Sequence, residues 1–191
     1  SVLGRAQLLL RRVQEPQQRQ WLQVIERSAL DGAQTVRRLQ EFTRIRRDQP
    51  MVPLDLNQVV RDSLDITQSR WKDEPTSRGL VIELRTRLSD VPAVLGDAPE
   101  LREAMTNLIL NAVDAMPEGG VLSLSTAVVD DRVEILISDT GVGMAPDVRE
   151  KVFDPFFTTK GPQGTGMGLS MTYGIVSRHG GTIAIESELG R

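Results

Sequence analysis

Four short runs in this chain carry residue types whose spacing could do chemistry. The first is Glu103, Asn107, Asn111 and Asp114, recurring at steps of four, four and three beside an apolar stripe of Leu101, Ala104, Met105, Leu108, Ala112 and Ala115. Asn is a poor helix former, so two of them one turn apart need a reason. They are either a solvated polar face or a pair of amide oxygens facing a hard cation or phosphates, as Mg²⁺ sites on nucleotides use a few protein oxygens plus water. The second run is Asp139-Thr140-Gly141-Val142-Gly143-Met144. A carboxylate at a strand end can accept from an exocyclic amine while bare glycine backbone admits a flat ring, and the same D-x-G pattern also serves as a plain turn.

The third run, Phe153-Asp154-Pro155-Phe156-Phe157-Thr158-Thr159-Lys160, gathers three of the four Phe beside a Lys. By itself it reads as a small apolar cluster that anchors a loop. In the fourth, Gly161, Gly164, Gly166 and Gly168 precede a helix, where glycines can turn backbone N–H groups toward phosphate or simply make a flexible loop. Met167 follows Gly166 where a P-loop carries Lys, and no G-x-G-x-x-G is present. His179, the only His, sits at a helix end in Ser-Arg-His-Gly-Gly. A charged imidazole favouring the helix C-terminus is the expected role there, ahead of catalysis.

The elements that must hold these runs follow from period and punctuation. Leu3 to Val13 reads as a first helix, interrupted at Glu15-Pro16. A second carries Leu22, Ala29 and Val36 seven apart with Ile25, Gly32 and Leu39 offset by three, extended by Phe42 and Ile45. That is an a/d seam, and a two-helix hairpin of this size cannot bury both faces alone: the expected completion is a second copy in a dimeric four-helix bundle, and the alternative is packing on the rest of its own chain. Gln49-Pro50-Met51-Val52-Pro53 is a stiff connector that separates residues 1–49 from 50–191. The second part reads as a helix from Asp55 to Ser69, a strand Val81 to Leu88, a helix Ala98 to Met116 opened by the Asp97/Glu100 capping signal, and strands Val121 to Val129 and Val133 to Ile137 joined at Asp130-Asp131. After the glycine-rich stretch come a helix Leu169 to Arg178, closed by Gly180-Gly181, and a last strand Thr182 to Glu186. The class is α+β, helices on one face of a mainly antiparallel sheet.

Composition narrows the chemistry. The 191 residues carry 23 Lys+Arg against 26 Asp+Glu, a net charge of −3, which gives no footprint for nucleic acid or an anionic membrane. With zero Cys and one His, disulfide frameworks, Cys nucleophiles and His- or Cys-built metal sites fall. The apolar runs are too short to span a bilayer and no signal-peptide order is present, so the expectation is that these residues are cytoplasmic and make no membrane contact, with a membrane anchor upstream in a longer parent left open. The start at Ser1 inside a helical pattern reads as a piece of something longer.

In order, Asn-Leu-Ile-Leu-Asn-Ala at 107–112, the Asp139 run, the Phe153 run and Gly-Thr-Gly-Met-Gly-Leu-Ser at 164–170 resemble the N, G1, F and G2 boxes of the sensor histidine kinases of two-component systems. The resemblance covers almost the whole chain. It implies a dimerisation hairpin followed by the Bergerat ATP-binding sandwich shared by gyrase, chaperone, kinase and mismatch-repair proteins, with ATP and Mg²⁺ as cofactors. It implies that Asn111 holds Mg²⁺, that Asn107 supports the phosphates and that Asp139 takes the adenine amine. By the same resemblance Gly141 and Gly143 shape the adenine pocket, Thr182 reaches adenine through water, Lys160 with Gly164, Gly166 and Gly168 forms a lid over the phosphates, and Thr165 and Leu169 belong to the ATP-binding residues. The implied partners are a second copy through the hairpin and the receiver domain of a response regulator, whose Asp takes the phosphoryl group from a His.

Two departures stand beside the matches. The family's phosphoacceptor His belongs on the first hairpin helix, and Ser1 to Leu9 resembles the stretch just downstream of it, so the acceptor is not in these residues. His179 matches a His-Gly-Gly inside the ATP domain instead. The chain also stops at Glu188-Leu189-Gly190-Arg191, before the family's usual closing strand. An ATP-hydrolysing clamp is the rival within the superfamily, and Asn107 argues against it because an amide cannot abstract a proton from water. A scaffold that binds nucleotide only to set dimer geometry is the rival from another class.

Overall fold

The computed structural model describes residues 2–10, 13, 15–43, 50–161 and 164–190, the side chains of 2, 3, 7, 31 and 33–43 excepted. The chain divides into two compact units, Ser1–Asp48 and Gln49–Arg191. In the first, α1 (Val2–Leu10) packs against α2 (Pro16–Thr43), with Ala6 buried. Pro16 opens α2, where its missing N–H costs nothing. Ile25 of the expected seam is exposed, as are Trp21, Val24 and Leu30. The side chains of Val36, Leu39 and Phe42, residue Ile45, and Gln49 of the connector lie outside the described residues.

The second unit mixes helix and sheet. A short antiparallel pair, β1 (Val52–Leu54) with β3 (Val94–Gly96), was not expected from the sequence, because three-residue strands carry too little pattern to see. Helix α3 (Leu56–Ile66) starts at Asp55, whose side chain accepts from the Asn57 N–H at 2.8 Å. One π-helical turn follows at Ser69–Asp73, then the short α4 (Glu74–Ser77). The Trp71 indole donates to the Leu64 carbonyl at 3.1 Å and ties the π turn to the helix before it.

Three strands make the sheet among the described residues, in the order β2 (Ile82–Leu88), β4 (Gly120–Val129), β5 (Arg132–Asp139). β2 runs parallel to β4 because α5 (Ala98–Asp114) lies on the crossover between them, whereas β4 and β5 are an antiparallel hairpin. The expected mainly antiparallel sheet is therefore mixed. The hairpin turn falls where expected, with Asp130 and Asp131 at φ 48° and 60°, the positive pair a type I′ turn requires. Val59, Val60 and Leu64 of α3, Met105, Ile109, Ala112 and Val113 of α5, and Ile82, Leu122 and Leu124 of the sheet share one buried cluster.

Helices α6 (Pro146–Arg149) and α7 (Gly168–Arg178) complete the unit, and α7 lies on α5. The expected last strand, Thr182 to Glu186, does not form. Its alternation survives, since Ile183 and Ile185 are half-buried between exposed neighbours, but no ladder of backbone hydrogen bonds pairs it with β5. Just beyond it, the segment is held by the loop after β5, through Met144 N–H to Ser187 Oγ and Gly190 N–H to the Val142 carbonyl, both 2.9 Å. Alternation decides which side chains face inward, and only a paired backbone makes a strand. Among the described residues no helix is long and apolar enough to cross a membrane.

Candidate functional site

α5 is the bench on which the site is assembled. Its start is capped by Asp97, whose carboxylate accepts from the Glu100 N–H at 3.0 Å. In a reciprocal capping box Glu100 would reach back to the Asp97 N–H. Here that N–H donates instead to His179 Nε2 at 2.9 Å, and His179 Nδ1 lies 2.8 Å from the Ile175 carbonyl. A ring that accepts at Nε2 carries its proton on Nδ1 and is neutral. The expected charged imidazole at a helix C-terminus is therefore replaced by a neutral clamp between α7 and α5. Glu100, released from capping, pairs with Arg178 at 3.0 Å, its side chain only 8% exposed. The end of α7 is thus bolted to the start of α5.

The polar stripe of α5 faces the other end of α7. A carbon placed on Gly168 would lie 3.9 Å from the amide groups of both Asn107 and Asn111, an ordinary contact distance, so the start of α7 lies beside this pair. Lys160 reaches the same place from the loop. Its Nζ donates to Asn111 Oδ1 at 2.9 Å and to Asp114 Oδ2 at 2.8 Å. Asp114 Oδ1 in turn accepts from Arg70 Nη2 at 2.9 Å, and Arg70 Nε pairs with Glu74 at 3.0 Å. Asp114 belonged to the stripe read from the sequence; Arg70 did not, being 44 residues away on a π turn with no motif to mark it.

One turn further along α5, the Asp139 run closes on the helix end. Asp139 Oδ1 accepts from the Gly141 N–H at 2.9 Å, an Asx turn that holds the carboxylate at the end of β5 while leaving it exposed. Val142 N–H reaches the Ala115 carbonyl at 2.9 Å, and any side chain on Gly141 would strike that same carbonyl. Gly143, at φ 68°, is bare for a different neighbour, because a Cβ there would meet the Glu188 carbonyl. Thr182 is exposed, and no hydrogen bond joins it to Asp139 or to another candidate residue.

The Phe run and the glycine loop are locked to each other. Phe153 stacks at a tilt on Tyr173 of α7, ring centroids 5.5 Å apart, and Phe156 N–H donates to the Gly166 carbonyl at 2.9 Å. Phe156 and Gly166 both have left-handed backbone, φ 69° and 65°, which for a bulky aromatic is a strained state held by its surroundings. A Cβ on Gly166 would overlap the Phe156 backbone, and one on Gly164 the Thr158 hydroxyl. Thr165 Oγ1 accepts from the Met167 N–H at 3.4 Å, and Leu169 stands half-buried in the first turn of α7.

Among the described residues no group of three or more His, Asp or Glu could hold a metal alone. A single amide oxygen such as Asn111 Oδ1 suits an ion that brings phosphate and water ligands with it. The arrangement is an exposed carboxylate at one end of α5, two amides and a lysine one turn back, and glycine-rich backbone opposite. Amides, an ammonium and bare backbone gathered in this way suit an anionic ligand such as a nucleotide.

The comparisons agree with a nucleotide site. Residues 96–191 match the family model described as histidine kinase-, DNA gyrase B-, and HSP90-like ATPase, and the chain belongs to this family. It is 38% identical over 184 residues to the sensor kinase CckA of Brucella abortus, covering 87% of this chain and 19% of the relative. It is 36% identical over 139 residues to the sensor histidine kinase ZraS of Escherichia coli, covering 72% and 28%. Among solved structures, full-length ShkA in complex with AMPPNP is 28% identical with a TM-score of 0.71, covering all of this chain and 40% of that one. The chain thus spans under a third of the length of either curated relative.

Proposed function

We propose that this chain carries the ATP-binding and dimerisation parts of a two-component sensor histidine kinase, which passes the γ-phosphoryl group of ATP to a His and then to an Asp of a response-regulator receiver domain. The observation that carries the reading is the meeting of Lys160 and the start of α7 with Asn107 and Asn111. In it, Asp139 takes the adenine amine, with Gly141 and Gly143 shaping the loop beside the ring and Thr182 reaching it through water. Asn107, Lys160, Gly164, Thr165, Gly166, Gly168 and Leu169 surround the phosphates, and Asn111 holds Mg²⁺. When bound, that ion would neutralise charge on the phosphates.

Phosphoryl transfer asks little covalent chemistry of the protein and much positioning. The imidazole nitrogen of the acceptor forms the new P–N bond as the bond to the ADP oxygen breaks, and the negative charge leaves on ADP. Asn107 supports the phosphates without activating water, because an amide is no base. That favours an imidazole over water as acceptor. In this reading residues 1–49 supply the dimer. Leu8, Leu9, Trp21, Val24, Ile25 and Leu30 are all exposed on α1 and α2, which supports a four-helix bundle with a second copy. The domain works on the cytoplasmic side, where ATP and receiver domains are found.

The test mixes this chain with a version extended upstream through the expected His and carrying Asn111→Ala, then adds labelled ATP. Acid-labile label on the extended partner is the expected result where transfer runs between subunits; where it runs within one, the extended chain labels itself only with Asn111 intact. An extended chain that binds ATP and never labels would leave a nucleotide-binding scaffold, and rapid ATP hydrolysis by the present chain would indicate a clamp.

A further inference from the structure

The relay Glu74, Arg70, Asp114, Lys160, Asn111 joins two parts of the fold that the sequence gives no reason to connect. Its first two members sit on the π turn and α4, its last on the face of α5 that meets the glycine-rich loop. Single-turn π segments are rare and often mark functional positions, and this one aims a guanidinium at Asp114. Both oxygens of Asp114 are then taken, Oδ1 by Arg70 at 2.9 Å and Oδ2 by Lys160 at 2.8 Å. A carboxylate with a cation on each oxygen is a tether, not a free metal ligand.

The tethered ammonium covers Asn111 Oδ1. One amide oxygen cannot serve an ammonium and a dication together at close range without strong repulsion between the two cations. Lys160 therefore has two places to be. With Asn111 free of metal it lies on the amide; with the amide oxygen given to a metal ion it must leave, and anchored at Asp114 it stays within reach of anionic groups nearby. Gly161, next in the chain with φ 59° and open space where a Cβ would stand, gives the backbone freedom for that shift.

Resting on the nucleotide-site reading above, we propose that Arg70 and Asp114 are positioning residues that hold the Lys160 ammonium at Asn111, where it serves as the stand-in cation when nucleotide binds without metal. Lys160 thereby lets phosphates bind before the metal does, and Arg70 acts on them only through Asp114 and Lys160.

The experiment measures affinity of the full 191-residue chain for a fluorescent ADP analogue in excess EDTA and in saturating Mg²⁺. Lys160→Met is expected to weaken binding in EDTA about tenfold, the worth of one charge-assisted contact, and to weaken it less in Mg²⁺. Arg70→Gln and Asp114→Asn are expected to weaken EDTA binding roughly two- to fivefold without lowering the melting temperature, since these pairs are half exposed. Arg70→Lys restores it. The decisive variant is Arg70→Gln with Lys160→Met, which should bind no more weakly than Lys160→Met alone. An Arg70→Gln chain with unchanged EDTA affinity, or a double variant whose losses multiply, overturns the positioning role while leaving the nucleotide site standing. A wild-type chain that binds the analogue in neither condition, or binds it equally well after Asp139→Ala, overturns the site and the proposal together.

Discussion

The two ends of the α5–α7 pair are built in opposite ways. Where α7 ends, the polar groups that join it to α5 are paired: His179 takes the Asp97 N–H, Arg178 takes a carboxylate buried at 8% exposure, and Asp97 caps α5. Where α7 begins, Asn107 makes no side-chain hydrogen bond among the described residues, and Asn111 is held by a half-exposed lysine that has a second partner. Buried polar groups are costly to unpair, whereas half-exposed ones exchange partners for little. One end of the helix pair is a fixed joint, and the other is a place where partners can be swapped for a ligand's.

The largest expected effect lies at the open end. Asp139→Ala removes an exposed carboxylate, so the melting temperature should hardly move while nucleotide affinity in calorimetry falls by about a hundredfold or more, as expected for losing a charged hydrogen-bond acceptor and its Asx turn. Unchanged affinity would remove Asp139 from the site. At the fixed end the pattern reverses. Glu100→Ala should cost about 1–3 kcal/mol of stability in urea unfolding, less than a fully buried pair because Arg178 is 42% exposed, with nucleotide affinity changed little. A Glu100→Ala chain as stable as wild type would dissolve the contrast.

The smallest effect belongs to a pair on neither end. The Arg85 guanidinium, by hydrogen bond first and by charge second, holds the Glu83 carboxyl below its ordinary range. A depressed carboxyl contributes stability above its unfolded pKa and loses it as pH falls through the folded one, but Glu83 is fully exposed. Glu83→Gln should therefore leave both the melting temperature at pH 7 and its fall in acid within error of wild type. A clear loss would mean that solvent-facing pairs count here for more than their exposure allows.

The sequence made one end of this comparison legible and hid the other. Asn107, Asn111 and Asp114 fall on one helical stripe, and the Asp130-Asp131 turn and the capping residue Asp97 announce themselves, because each is a local pattern. The partners of those residues are not local. Arg70 meets Asp114 across 44 positions, and His179 takes the Asp97 N–H across 82, leaving Glu100 out of the capping box. Neither pairing has a period or a spacing to reveal it. β1 and β3 escaped because three residues make no pattern, and Thr182 to Glu186 misled because its pattern is real while its pairing is absent.

Amide hydrogen exchange with and without Mg²⁺-ADP tests the account most directly. The N–H groups of Asp97, Glu100 and His179, each bonded within the fixed joint, should exchange slowly in both states. Those of Lys160, Gly164 and Met167, bonded only to neighbouring loop atoms, should be fast in the free chain and become protected when nucleotide is added. Protection that appears at Asp97 and His179 while the loop from Lys160 to Met167 stays fast would place the ligand at the wrong end of α7 and contradict the account.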